Sequence, residues 1–244
     1  MSAPLFLVDT LPGGSAYTLA GPEGHHAADV QRLRVGEALI LSDGHGGTAA
    51  ATVTAVRRGS VDVAVTGRRH LERPDPRLVV VQAIAKGDRG ELGVQAMTEV
   101  GVDEIVPWAA ARSVVQWRGE RGEKSRERWA VTAREAAKQA RRPWVPVVAG
   151  APDCSTKQVA ARLGGAAGSF VLHEAATRPL TAADLPRTGE IVLVVGPEGG
   201  IADAELDLFT AAGAAAVRLG ESVLRTSTAG VAALSVLSAR LARW

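Results

Sequence analysis

A Gly-Pro-Glu-Gly-Gly-Ile run, residues 196–201, follows five consecutive branched or leucine side chains at 191–195 and precedes a helix-prone stretch at 202–212. Ligands of open α/β sheets sit beyond the carboxyl ends of the strands. Glycines at such a point let the main chain come close to a ligand and leave amides free to donate to it. Two readings fit the run: a tight strand-to-helix turn with no ligand, or a shell of main-chain groups around one, with Glu198 as its acid. The run has neither the Gly-x-Gly-x-x-Gly spacing of a dinucleotide site nor the Gly-Lys-Ser/Thr of a phosphate loop.

Two further stretches have the same character. In 217–237 a short strand ends at Leu219-Gly220, a loop follows, and an apolar helix begins near Ser227. Arg225 stands just before that helix, as a surface charge or as a clamp for an anion or carbonyl. Ser227 or Thr228 can cap the helix, and Asp203 can serve as an N-terminal polar residue of the helix at 202–212. At 170–173 a third strand runs into His173-Glu174; a lone histidine there is structural more often than catalytic. Three strand ends rich in glycine or polar groups can converge on one pocket, which carries more weight than any one of them.

The elements that must hold these ends fall into two regions. Residues 38–41, 48–56 and 61–66 are short strand-like runs separated by Asp43-Gly44, Gly46-Gly47 and Arg58-Gly59-Ser60, which predicts a small β-barrel with one helix at 25–34. A polar stretch with two prolines, 67–76, reads as a linker, giving domains 1–73 and 74–244. Beyond it, buried strands at 77–85, 104–108, 170–173 and 191–195 alternate with helices at 91–100, 124–139, 202–212 and 227–242. This predicts a mostly parallel sheet covered on both faces, an α/β domain.

Charge is unevenly spread. The chain's net charge is +2, yet Arg112 to Arg142 holds ten basic and four acidic residues, a local +6 that leaves −4 elsewhere. Such a block is either a solvated helix face or a polyanion site. The single cysteine, Cys154, permits no internal disulfide and fits a reducing compartment. The N-terminus lacks a secretory pattern and no apolar run approaches membrane-spanning length, so the expected location is the cytoplasm, with no membrane partner.

The three strand-end stretches, in this order, resemble the C-terminal half of the SPOUT methyltransferases, and most closely the bacterial RsmE family of 16S ribosomal RNA uracil-N3 methyltransferases. The resembling residues are Leu172-His173-Glu174, Gly196 to Ile201, and Leu219-Gly220 with Leu224-Arg225-Thr226 and Thr228-Ala229. Residues 83–108 are similar to the segment that opens the family's catalytic domain, 134–148 to its EAAxQxxR helix and loop, and 24–37 to the His-His pattern of its N-terminal PUA-like barrel. Ser227 and Ala96 depart from the pattern, which has glutamate and lysine there, and no basic residue stands near Pro4-Leu5.

The resemblance implies an N-terminal PUA-like β-barrel, a C-terminal SPOUT domain with a trefoil knot, a homodimer, and 16S rRNA of the small ribosomal subunit as partner. It implies S-adenosylmethionine as methyl donor, with no metal. The donor is expected against Leu172, His173 and Glu174; against Gly196, Pro197, Glu198, Gly199, Gly200 and Ile201; and against Leu219, Gly220, Val223, Leu224 and Thr226. Arg225 is expected to stabilise an anion or clamp RNA phosphate, and Glu198, the acidic residue of the donor loop, is the second catalytic candidate, as a base, a holder of a ribose hydroxyl or a structural acid. Arg112, Arg118, Arg141 and Arg142 of the basic block, with His25, Arg32 and Arg34 of the barrel, are expected to grip RNA, with binding that weakens as salt rises. Gly199→Val is expected to abolish donor binding by filling ligand space.

Three alternatives compete: a PUA-like RNA-binding dimer without catalysis, a SPOUT enzyme acting on another rRNA or tRNA base, and a dehydrogenase. The last lacks a glycine-rich turn after the first sheet strand, where 84–89 reads IAKGDR.

Overall fold

A computed structural model of the chain describes residues 3–149 and 154–244. These divide into two compact units, the first made of the chain up to Arg73 with Ala137–Val145, the second of Pro74–Ala136 with Pro146–Trp244.

The first unit is built on a five-stranded sheet. Its strands are β1 (Leu5–Leu7), β2 (Ala16–Leu19), β3 (Ala38–Ser42), β4 (Gly47–Arg57) and β5 (Ser60–His70), in the order β1-β3-β4-β5-β2. Ala49, Ala51 and Val53 of β4 are buried with Leu39, Leu41, Val61 and Val63, following the two-residue period of a strand with one face inward. Register shifts at Ala50/Ala51 and Val53/Ala55 bend the long β4–β5 pair. The helix expected at 25–34 lies earlier. Pro22 has its φ preset for a first helical turn, so α1 (Gly21–His25) starts there and runs into one π-helical turn at His26–Val30. The helical run ends where Arg32 takes a left-handed conformation, φ 54°. His25 Nδ1 lies 2.7 Å from Asp29 Oδ2, one turn on.

The second unit holds a six-stranded, all-parallel sheet. Its strands are β6 (Arg77–Ala83), β7 (Glu104–Trp108), β8 (Val147–Val148), β9 (Gly168–Leu172), β10 (Glu190–Val195) and β11 (Ala215–Val217), in the order β11-β9-β10-β6-β7-β8. The helices are α2 (Arg89–Glu99), α3 (Gly119–Gln139), α4 (Thr156–Gly165), α5 (Asp203–Ala211) and α6 (Thr226–Arg240). The strands read as continuous apolar runs because both faces are covered. Leu78, Val80, Ile191 and Leu193 join a core with Val94, Met97, Trp129, Leu234 and Leu237, while Val79, Val81, Val192 and Val194 join another with Val159, Leu163 and Phe209. The chain winds from β6 towards β8 and later from β10 towards β11, so β6 and β10 flank a reversal of winding. At such a reversal a crevice opens beyond the strand ends.

The opposite, N-terminal edge is closed by charge. Arg162 donates to Glu104 at 2.6 and 2.8 Å and to Glu190 at 2.9 Å twice, and Arg77 donates to Glu104 at 2.8 Å. Burial alone would raise the Glu104 carboxyl, but hydrogen bonds and charge from Arg162 and Arg77 hold it below the usual 4.5; the same pairing raises Arg162. A depressed carboxylate stabilises the fold above its unfolded pKa, and that contribution is lost as pH falls through the folded value. Glu104→Gln is therefore expected to destabilise the protein by about 3 kcal/mol at neutral pH. The gap between wild-type and variant melting temperatures should narrow as pH drops below 4.5; a gap independent of pH would contradict the assignment.

Candidate functional site

The strand ends β9, β10 and β11 leave the sheet side by side, and the loops after them enclose a cavity of about 660 Å³. That lies within the range of small-molecule and cofactor sites. Its walls include Leu172, His173 and Glu174 after β9; Gly196, Pro197, Glu198, Gly199, Gly200 and Ile201 after β10; and Leu219, Gly220, Val223, Leu224 and Arg225 after β11, with Thr226 opening α6. The three stretches singled out in the sequence thus share one hollow.

Local bonds fix the walls. His173 N donates to Val217 O at 2.9 Å, joining the β9 and β11 ends, and the His173 ring Nδ1 accepts from Ala175 N at 3.3 Å. Gly200 N donates to Pro197 O at 2.9 Å and closes the turn, with Gly200 at φ 74°. The loop and α6 are joined where Thr226 Oγ1 donates to Gly196 O at 2.8 Å. Residue 225, not Ser227 or Thr228, is the helix N-cap. The helix starts earlier than its apolar pattern suggests because the Thr226 side chain faces the glycine loop, while Ser227 is buried and Thr228 bonds back to Arg225 O. Asp203 is the first residue of α5 but not its cap; Glu205, in the first turn, accepts from Ala202 N at 3.1 Å.

The charged side chains differ in their freedom. Glu198, with its side chain 25% exposed, accepts from Lys86 N at 3.4 Å and pairs with Arg89 at 3.6 Å. Among the described residues, the Arg225 guanidinium has no hydrogen bond or ion pair. Arg112 is at the cavity, with Nη1 donating to Ile201 O at 3.4 Å. The other expected RNA contacts do not line it: Arg118 bonds Gln116, and His25, Arg32, Arg34, Arg141 and Arg142 belong to the first unit. Among the described residues, no group of three His, Cys, Asp or Glu is placed to hold a metal, and no helix is long and apolar enough to cross a membrane.

Comparison with known proteins decides the family. The profile described as "RNA methyltransferase domain" matches residues 72–238, and that described as "RNA methyltransferase PUA domain" matches 19–66. Ribosomal RNA small subunit methyltransferase E of Mycobacterium bovis is 43% identical, over 100% of this chain and 94% of the relative. The chain belongs to the ribosomal RNA small subunit methyltransferase E family. The Bacillus subtilis member is 31% identical over 91% of this chain and 89% of its own. The crystal structure of the Neisseria gonorrhoeae member, bound to S-adenosylmethionine, superposes with a TM-score of 0.84 at 27% identity and covers 98% of each chain. A putative Legionella pneumophila methyltransferase in complex with S-adenosylmethionine has the same TM-score at 29% identity, again over 98% of each chain.

Within this methyltransferase fold, two features were not anticipated from sequence. Arg89 lines the cavity from the start of α2, because β6 lies beside β10; the signal was its place just after the carboxyl end of β6. Glu205, 5% exposed, is a shared acceptor: besides Ala202 N it takes Ala111 N at 2.8 Å and the Thr156 hydroxyl at 2.9 Å. It joins the 109–112 loop, the α4 start and the glycine loop. Glu205→Ala leaves these donors without an acceptor and is expected to cost about 3 kcal/mol in denaturant unfolding. An unchanged midpoint would show that water replaces the carboxylate.

Gly199→Val meets a further obstacle: a Cβ on Gly199 would stand 3.1 Å from both Cβ and carbonyl oxygen of Arg112, so a side chain also presses on the adjoining loop. Gly220 is the opposite case: nothing lies within 4 Å of a Cβ built there.

Proposed function

We propose that this protein transfers a methyl group from S-adenosylmethionine to N3 of one uridine in 16S rRNA of the small ribosomal subunit. The coarser statement, an S-adenosylmethionine-dependent rRNA methyltransferase, follows from family membership. The observation that carries the reading is the convergence of the 172–174, 196–201 and 219–226 stretches on one hollow.

The residues suit the donor. Carbonyls and amides of two glycine-containing loops can hold an adenosine moiety without long side chains, and the walls carry charges of both signs, Glu174, Glu198, Asp203 and Glu221 with Arg89, Arg112, Arg218 and Arg225, for a donor that has a sulfonium and a carboxylate. When bound, S-adenosylmethionine supplies a methyl on a sulfonium that leaves readily without a metal. The chain's own task is to make N3 nucleophilic and to align it. Uracil N3 carries a proton; once it is removed, charge spreads over O2 and O4 and needs a donor of positive charge. Arg225, unpaired among the described residues, fills that role in this reading. Glu198, engaged by Arg89 and Lys86 N, anchors the 85–89 loop beside the donor.

Arg112 and Arg118, with Arg141, Arg142, His25, Arg32 and Arg34, grip rRNA phosphates, and the first unit closes as a PUA-like barrel. The resemblance implies a trefoil knot in the second unit, whose last helix α6 packs on α2 and β6. The protein acts as a cytoplasmic homodimer. The test is mass spectrometry of ribosomal RNA from cells lacking the gene. Loss of one N3-methyluridine, restored by the purified protein with donor, is the expected outcome. Loss of a different modified base would replace the target, and an unchanged inventory would overturn the reading.

A further inference from the structure

Gln82 is the one polar side chain in the stretch 78–85, and it is only 2% exposed. A buried amide inside an otherwise apolar central strand calls for a partner and a reason. Its Nε2 donates to Ala83 O at 3.2 Å and to Thr226 Oγ1 at 2.9 Å, and Thr226 Oγ1 in turn donates to Gly196 O at 2.8 Å.

The chain of bonds has one direction. Gly196 O can only accept, so the threonine proton points at it. The hydroxyl must then accept from Gln82, which turns the nitrogen end of the amide towards it. Both N–H groups are thereby used, and Oε1 is left buried without a protein partner. An orphaned acceptor is disfavoured, so the amide orientation follows the threonine rather than its own best satisfaction.

Resting on the donor site proposed above, we infer that Gln82 is a positioning residue for S-adenosylmethionine. It orients the Thr226 hydroxyl, and that hydroxyl ties the first residue of α6 to the first residue of the glycine loop. The loops at 196–201 and 219–225 then keep one spacing, set from beneath by β6. Gln82 itself does not line the cavity; it acts only through Thr226.

The experiment compares wild type, Gln82→Met, Gln82→Glu, Thr226→Ser, Thr226→Val and the double variant Gln82→Met/Thr226→Val. Calorimetric titration gives S-adenosylmethionine affinity, and steady-state assays on small ribosomal subunits give kcat and KM. Gln82→Met is expected to weaken donor binding about tenfold, the size of one lost neutral hydrogen bond. At saturating donor its kcat and its KM for subunits should stay at wild-type values, a split that general destabilisation would not produce. Gln82→Glu, which lacks the two amide N–H groups that Ala83 O and Thr226 Oγ1 accept, should also weaken binding. Thr226→Ser, which keeps the hydroxyl, should bind the donor more tightly than Thr226→Val, and the double variant should bind no more weakly than Thr226→Val. Wild-type affinity in Gln82→Met, or additive losses in the double variant, would overturn the inference. If Gln82→Met does not fold, the contrast between Thr226→Ser and Thr226→Val decides: equal affinities overturn it. Failure of wild type itself to bind the donor would instead remove the site reading on which the inference stands.

Discussion

Arg225→Ala is expected to slow methyl transfer by about two orders of magnitude, the loss typical of removing one preorganised donor from a developing anion. Donor affinity should change little. Arg225 is the last residue before α6, and its carbonyl accepts from both Thr228 N and Ala229 N at 2.9 Å, so its main chain is held whatever its side chain is. Arg225 lines the cavity, and among the described residues its guanidinium has no partner. Its truncation therefore removes little from the ground state. Under the proposed function, what it removes is stabilisation of a uracil whose N3 proton has gone and whose charge lies on O2 and O4. The planar guanidinium can meet an oxygen with two N–H groups, whereas a lysine offers a point charge. Arg225→Lys should accordingly recover part of the rate only. Single-turnover assays with rRNA and saturating donor separate this from a phosphate contact, which would raise KM for RNA and leave kcat alone. Wild-type kcat together with a wild-type KM for RNA in Arg225→Ala would discard both roles.

How much of this was legible in sequence follows from what each segment must satisfy. The strands of the second unit were readable because burial on both faces demands unbroken Val, Ile and Leu: β6 was expected at 77–85 and lies at Arg77–Ala83, and β10 was expected at 191–195 and lies at Glu190–Val195. β1 and β2, of three and four residues, are too short to show a period. α4 was missed although Ser155 and Gln158 form a reciprocal capping box there, with Gln158 N donating to the serine hydroxyl and Gln158 Oε1 accepting from Ser155 N. The motif was present and Val159, Ala160 and Leu163 follow it at helical spacing, but the helix is only ten residues long and ends in Gly164-Gly165. α3 starts at Gly119 rather than near 124, since Glu120 and Glu123 extend the helix and suit its N-terminal end.

The candidate site was legible as three strand ends, each ambiguous alone. What could not be read was the lateral arrangement. The order β9-β10-β6 brings Arg89 and Gln82 to loops more than a hundred residues away, and strand order is not written in any one strand. Side-chain direction was equally hidden, as Gly199 shows.

The two glycines make the sharper test because they separate folding from binding. At Gly220 the backbone is not left-handed and a Cβ would touch nothing within 4 Å, so the fold gives no reason for glycine there. The residue nevertheless lines the cavity. A missing side chain that the protein does not need is best explained by a ligand that comes close to the main chain. Gly220→Val should therefore keep the wild-type melting temperature of the donor-free protein and weaken S-adenosylmethionine binding by at least about tenfold, the equivalent of ~1.4 kcal/mol. In a melting experiment the variant should lose at least ~1.4 kcal/mol of the stabilisation that excess donor gives the wild type. Gly199→Val should behave differently. Its side chain would press on Arg112, whose carbonyl lies 3.1 Å from the Cβ position, and something must shift. The 109–112 loop and the glycine loop are joined through Glu205 and through Arg112 to Ile201 O, so the strain should lower both the donor-free melting temperature and donor affinity. A Gly220→Val protein that binds the donor like wild type would mean that the ligand does not approach this loop, whatever Gly199→Val does. A Gly220→Val protein already destabilised without donor would mean that the loop uses the space in a conformation other than this one.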